Sequence, residues 1–450
     1  MLTAFKNINF IPFISAVRPV SNASFKSTTT PTFDTFIRTT GFQDSPVTDK
    51  SSTQELKKTK LETAILAKKY PLDYQYKIEL AKDVGCDVGA LRSVIGIQEL
   101  NDILKNLKPE NFSVGIKDSK VFEEKYKNVL NGKFKINIHT HSMLSDGKMT
   151  PAEILDQAVK YADKTDQTFV FSLNDHEILE GDQEIIETIA ANPEKYKNIR
   201  FIPGVEFQSS YNNSTFKEPI KVDILAYGFN PYNKNINKML DSAKEVRLKD
   251  GEDIIKTVNN WWDIKASSSE MTMIAPQYSK GECVRYHRYL EKYLHHKIKQ
   301  HGLPVEYNSK ADKLVQEREM LTSIPMPELV NTIKNSGYGE IGIAHPCRDD
   351  FTKTLKDNIK KDDAIEMDIM HQFLKYNADL GVKIAEINYQ YPSVTIPKRI
   401  QNPEKVMEDT NNYCKELGFI GTGGIDCHEN NIFSYKDGLT PEQIKQLTEK

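Results

Sequence analysis

Apolar positions recur along this chain at two different periods. In Phe134–His141, Ile136 and Ile138 alternate with polar neighbours, the period of a half-buried strand. Phe169–His176 is apolar and then breaks into Asn174, Asp175 and His176. The runs Ile199–Phe207, Ile220–Phe229, Ile341–Pro346 and Phe419–His428 read as further strands. Helical stretches lie between them. Pro151–Ala162 opens with Thr150 as N-cap and Pro151 at the first helical position, and Pro327–Gly337 ends on a glycine suited to a C-cap. Strand, polar end, helix, strand is the order of a β/α barrel, where the chemistry sits at the C-terminal ends of parallel strands.

The polar ends of these runs carry one kind of residue. His139 and His141 stand two apart, so on an extended chain they project to the same side and can converge on one cation, with Asp146 returning from the next loop. His176, Glu206 and His345 end other runs, and Asp426 and His428 repeat the two-residue spacing. A lone pair of histidines is weak evidence of a metal site, but the recurrence is not. With Asp223, these side chains make four carboxylates and five histidines in one mouth, whose repulsion cations would relieve. Two cations about 3.5–4 Å apart would acidify a shared water and clamp the oxygens of a phosphate ester. Phosphoester hydrolysis is the reaction that such a set suits, with no side-chain nucleophile. Ser142 and Ser145 flank the ligands without a base and are expected to serve as turn residues or hydrogen-bond donors.

The segments HTHSMLSDG, NDH, GVEF, AHP and GIDCH, in that order, resemble the PHP family, named for polymerase and histidinol phosphatase. The resemblance covers roughly residues 131–230 and 335–435 and is closest to the metal-dependent phosphoesterase branch. It implies a distorted (β/α)7 TIM-like barrel holding two or three divalent ions (Mn, Zn, Fe or Mg). One ion would take His139, His141, Glu206 and Asp426; Glu206 would bridge to a second that also takes His345; a third would take Asp146, His176 and His428. The catalytic roles implied fall to Glu206, Asp426 and His345. Asp223 stands where that branch has a histidine, so it would give the second ion an oxygen ligand and shift preference toward harder metals; otherwise it is a strand-end carboxylate bonded to backbone. The expected function is hydrolysis of a phosphate mono- or diester of a nucleotide, oligonucleotide or small metabolite by metal-activated water. Alternatives are a histidinol-phosphate-type phosphatase and a metal-binding regulatory or interaction protein on the same scaffold.

The remaining sequence adds modules around this core. Residues 1–50 are rich in Ser, Thr and Pro and read as a disordered tail or a presequence, and Phe10–Val17 is too short to span a membrane. Residues 51–130 form a small helical module with helices at Glu55–Tyr70 and Tyr74–Gly85; Glu79–Gly96 has the look of a helix-turn-helix turning at Gly85, a shape common in helical hairpins without DNA. The barrel is expected in two parts, 131–233 and 327–450, around a helical insertion at 234–326. Within the insertion, Val284–His301 reads as a solvated basic helix, of which Arg285 and His287 are expected to hold a substrate phosphate, together with Arg348 beyond His345. The 450 residues and formal net charge of −3 fit a soluble enzyme and exclude a globally basic nucleic-acid binder. The partner expected is a small phosphorylated substrate or short nucleic acid, with no membrane span and no protein partner inferable. Five cysteines without CxxC spacing point to a reducing compartment, consistent with a cytoplasmic location, and Cys427 is read as packing between its ligand neighbours.

Overall fold

Pro203 splits the strand expected at Ile199–Phe207, and the chain changes sheet there. The computed structural model describes residues 61–106, 136–211, 220–274, 287–346, 363–387, 403–424 and 426–428. In it, β1 (Ile136–Asn137), β2 (Phe169–Phe171) and β3 (Ile199–Phe201) pair in parallel as one sheet. β4 (Gly204–Tyr211), β5 (Ile220–Tyr227), β6 (Ile324–Pro325), β7 (Glu340–Ile343), β8 (Ile384–Ala385) and β9 (Ile420–Gly421) form a second sheet in the order β6-β4-β5-β7-β8-β9. Proline has no N–H for a ladder. The residue after it must be glycine, because a Cβ on Gly204 would lie 2.2 Å from the Ser172 hydroxyl and 2.4 Å from the Asn174 amide nitrogen.

The strands are not all parallel, and among the described residues they do not close into the expected distorted (β/α)7 barrel. β5 runs antiparallel to both β4 and β7. The link 212–219 is shorter than the dozen or so residues a parallel crossover needs, so β5 returns beside β4 as an antiparallel neighbour. Asp223 therefore sits in the middle of an antiparallel strand and Glu206 near the start of β4, neither at the C-terminal end of a parallel strand. The two sheets meet through single parallel bridges, His176 with Glu206 and Thr140 with Cys427.

Helices cover the sheets as their caps and apolar faces require. Pro151–Thr165 begins with a capping box: the Thr150 hydroxyl accepts the Glu153 N–H, and the Glu153 carboxylate accepts the Thr150 N–H at 2.8 Å. It buries Ile154, Leu155 and Ala158 in a core shared with Phe169, Phe171 and Phe201. A second core under β4, β5 and β7 joins Val205, Phe207, Ile224 and Ile341 to Leu329 and Ile333 of the helix Met326–Asn335.

The helix-turn-helix expectation is also overturned. The helix Pro71–Val84 ends at Gly85 in the left-handed conformation, but the next element is only a short 3-10 turn, Val88–Leu91. The chain then extends along β3: Ser93 O accepts the Phe201 N–H at 2.8 Å and Ile95 N–H bonds Phe201 O at 2.8 Å. Buried Val94 and Ile95 prefer that sheet edge to a solvated recognition helix, and a second α-helix starts only at Ile97.

The segment between β5 and β6 contributes the helices Lys234–Trp262, Ser268–Ile274, His287–Gln300 and Glu306–Thr322. Their shared core of Ile254, Val258, Leu290, Leu294 and Val315 takes in Ile178 from the loop after β2, with Leu144 packed against it. These helices thus touch two loops that carry proposed ligands. No helix among the described residues is long and apolar enough to cross a membrane.

Candidate metal centre

Each bridge between the sheets brings ligand-bearing backbone together. Thr140, between His139 and His141, pairs with Cys427, between Asp426 and His428, so two pairs of side chains two residues apart face one space. Cys427 projects the other way into the first core, as its position predicts. A Cβ on Gly424 would lie 2.4 Å from that of His139, so only glycine lets the chain pass so near this histidine.

Three clusters of potential ligand atoms result, each within 4.8 Å: His139, His141, Glu206 and Asp426; Glu206, Asp223 and His345; and His141, Asp146, His176 and His428. These contain all nine residues expected as ligands, with Glu206 and His141 each shared between two groups. The Nε2 atoms of His139 and His141 are 3.2 Å apart, and His141 Nε2 lies 3.2 Å from Glu206 Oε2 and 3.1 Å from Asp426 Oδ1. Glu206 divides its oxygens. Oε2 faces His139 and His176, each at 3.4 Å, and Oε1 faces His345 Nε2 at 3.3 Å. Asp146 Oδ1 lies 3.0 Å from His428 Nε2 and 3.6 Å from His176 Nε2. The register that places Ile224 opposite Ile343 brings Asp223 beside His345, and Asp223 O accepts the Ala344 N–H at 3.3 Å.

This donor set fits divalent cations. Imidazole nitrogens and carboxylate oxygens of different strands point at common spaces, and the rings are aimed from behind: His428 Nδ1–H donates to Asp426 O at 2.8 Å, leaving Nε2 free to face the cluster. Behind the loop, buried Asp175 accepts the Ser142 N–H at 2.7 Å and the hydroxyls of Ser142 and Ser145 at 2.6 Å. Both serines therefore have the supporting role expected of them.

Without metal, protons balance the charges. Burial disfavours the imidazolium of His139, but Glu386, Glu206 and Asp426 outweigh it and hold its pKa well above the usual range. For His141, burial is again outweighed, by Asp426 and Glu206, and the pKa is pushed up to about 10. Glu206 is buried, yet His139 and His176 hold it well below the usual carboxylate range. The raised His141 value makes a stabilising contribution that is complete below the unfolded-chain value of about 6.5 and is lost as pH climbs to about 10. The depressed Glu206 value contributes stability above about 4.3 that is lost as pH falls through its folded value. Chelator-treated protein should therefore melt at progressively lower temperature from pH 7 to 10, and added metal should flatten the curve. Melts of metal-free protein that do not change over that range would contradict these shifts.

Three residues of this region escape the sequence reading. Glu386 follows Val382, Ile384 and Ala385, all buried, much as Glu206 ends a strand-like run, and lies 3.1 Å from His139 Nδ1. Glu177, next to His176, has a left-handed backbone with φ 56°, accepts the Gln208 N–H at 3.1 Å and forms a two-pronged buried pair with Arg247. Nothing in the sequence pairs Arg247 with Glu177, since the contact depends on how the helices dock. Of the expected phosphate-binding residues, His287 opens the helix His287–Gln300, whereas Arg285 and Arg348 lie outside the described residues.

No family model matches this chain. It is 32% identical over 114 residues to the 3′,5′-nucleoside bisphosphate phosphatase of Chromobacterium violaceum, a match covering 25% of this chain and 34% of that protein. The chain thus spans about a third of the length of that relative. Among solved structures it is similar to a candidate metal-dependent phosphoesterase of Bifidobacterium adolescentis, with TM-score 0.44, 18% identity, and 69% of this chain and 94% of that one covered. It is also similar to an amidohydrolase of Chromobacterium violaceum with bound sulfate and no metal, with TM-score 0.45, 19% identity, and 70% and 95% covered. The five ordered segments thus gather nine candidate ligands into three adjoining clusters, in a chain that is similar over 114 residues to a bisphosphate phosphatase.

Proposed function

We propose that this protein is a metal-dependent phosphoric ester hydrolase acting on a small phosphorylated substrate of the nucleotide class. The observation that carries the reading is Glu206, whose two oxygens face two different ligand clusters, the arrangement of a bridge between two cations. His139, His141, Glu206 and Asp426 would hold one ion, Glu206, Asp223 and His345 a second, and Asp146, His176 and His428 a third. Such ions would acidify an attacking water and neutralise the negative charge of the phosphate. The side chains around them position and support: Glu206 fixes the spacing, Asp175 holds the Ser142–Ser145 turn, and the bridges between the sheets keep ligands of different strands in register.

A nucleotide substrate is favoured over histidinol phosphate by the relative's named substrate, a 3′,5′-nucleoside bisphosphate. His287, with Arg285 and Arg348, is proposed to hold the substrate's phosphate. The oxygen ligand Asp223 would favour Mn or Mg at the second position over imidazole-preferring Zn. Turnover of p-nitrophenyl phosphate and its bis-ester, then of 3′,5′-bisphosphonucleosides, histidinol phosphate and short RNA, tests the assignment with each metal added to chelated protein. Metal-dependent release of phosphate, fastest from the bisphosphonucleosides, is expected. Binding of metal with no turnover of any of these esters would support the regulatory alternative instead.

A further inference from the structure

Glu386 belongs to none of the three clusters, yet it touches ligands of two. It is 1% exposed. Its Oε1 and Oε2 each lie 3.1 Å from His139 Nδ1, and Oε2 also accepts the backbone N–H of His345 at 2.9 Å. The fold holds the carboxylate there firmly: β8 pairs with β7 so that Ala385 lies opposite Ile343, and the Glu386 N–H donates to Ile343 O at 3.0 Å. His345 itself has a positive φ of 20°, sparsely populated for a residue with a Cβ, and the bond from its N–H to Glu386 helps to hold it there.

We propose that Glu386 is a positioning residue that orients His139 and His345 together for metal ligation. The proposal rests on the assignment of the clusters as a metal centre. By accepting the Nδ1–H of His139, the carboxylate fixes the tautomer in which Nε2 presents its lone pair to the space shared with Glu206 and Asp426. By accepting the His345 N–H, it sets the backbone from which that imidazole reaches Glu206 Oε1. One side chain thereby couples the first ligand cluster to the second, which the ligand motifs alone do not reveal. A glutamine here would set an amide N–H₂ or a single oxygen against His139 Nδ1. When the N–H₂ faces the ring it donates to Nδ1, which then gives up its proton, and the opposite tautomer, with Nε2 protonated, is favoured.

The test compares wild type, Glu386→Gln and Glu386→Asp, using zinc alone as the probe. Zinc affinity is read by competition with a chelator, and the protonation of the histidine ring nitrogens is read from the ¹⁵N spectrum of zinc-loaded, histidine-labelled protein. Glu386→Gln is expected to bind zinc about 10- to 100-fold more weakly, with the spectrum of one histidine altered at both ring nitrogens. Glu386→Asp, which keeps an acceptor-only carboxylate, is expected to fall between. Wild-type affinity and an unchanged histidine spectrum in Glu386→Gln would overturn the proposal while leaving the metal centre standing. Should the glutamine variant fail to fold, wild-type zinc affinity in Glu386→Asp would overturn it. Failure of wild type to bind zinc would overturn both readings.

Discussion

Replacing Glu206 with Gln is expected to lower phosphoester turnover by about three orders of magnitude, at the upper end of what losing one electrostatic group at a reaction centre costs, while leaving the far-ultraviolet circular dichroism unchanged. The substitution is nearly isosteric, so neighbouring Val205 and Phe207, both buried, keep their packing. What it removes is charge and one acceptor. Oε2 lies within 3.4 Å of His139, His141 and His176, and Oε1 lies 3.3 Å from His345. An amide can offer one oxygen to one cluster, but its nitrogen would meet the other cluster as a donor, where an acceptor is needed. Both the spacing of two cations and the charge that attracts them would suffer. The readout is kcat with saturating metal. A loss of less than tenfold would show that Glu206 does not bridge.

Arg247→Ala should have the largest effect on stability, about 3–5 kcal/mol, a large share of the roughly 5–15 kcal/mol typical of a folded domain. Arg247 meets Glu177 through both terminal nitrogens, and both side chains are at most 9% exposed. Truncating the arginine leaves the Glu177 carboxylate buried and unpaired by its cation. The double variant Arg247→Met with Glu177→Gln should recover most of the loss, because no charge is then stranded and Gln can still accept the Gln208 N–H. Since Glu177 follows His176 and Ile178 enters the helical core, the single variant should also weaken metal binding. Urea denaturation of wild type and both variants measures the effect. A single variant within about 1 kcal/mol of wild type would mean that the pair does not anchor the helices to the ligand loop.

The candidate ligands that the fold gathers into clusters were legible in the sequence, because metal chemistry restricts the side chains and extended backbone restricts their spacing. His139 with His141, and Asp426 with His428, each two apart, identify themselves without any alignment. The topology was less legible. The run Ile199–Phe207 is apolar apart from Arg200 and Glu206, so periodicity could not show that Pro203 divides it between two sheets, nor could it show that β5 returns antiparallel. Segment 86–96 contains the helix formers Ala90, Leu91 and Arg92, yet Val94 and Ile95 gain more by burial against Phe201 than an isolated short helix would give, a tertiary preference that local propensity does not contain. Glu386 and Arg247 were missed for a similar reason: each acts through a partner far away in the chain, His139 and Glu177 respectively, and the pairing exists only after folding.

The expectations about turnover depend on cations filling the clusters. Elemental analysis of protein stripped with chelator, reconstituted with manganese or zinc and freed of excess metal is the most direct measurement. The account predicts two or more divalent ions per chain, falling by at least one in His139→Ala. Less than one ion per chain in the wild-type protein would contradict it.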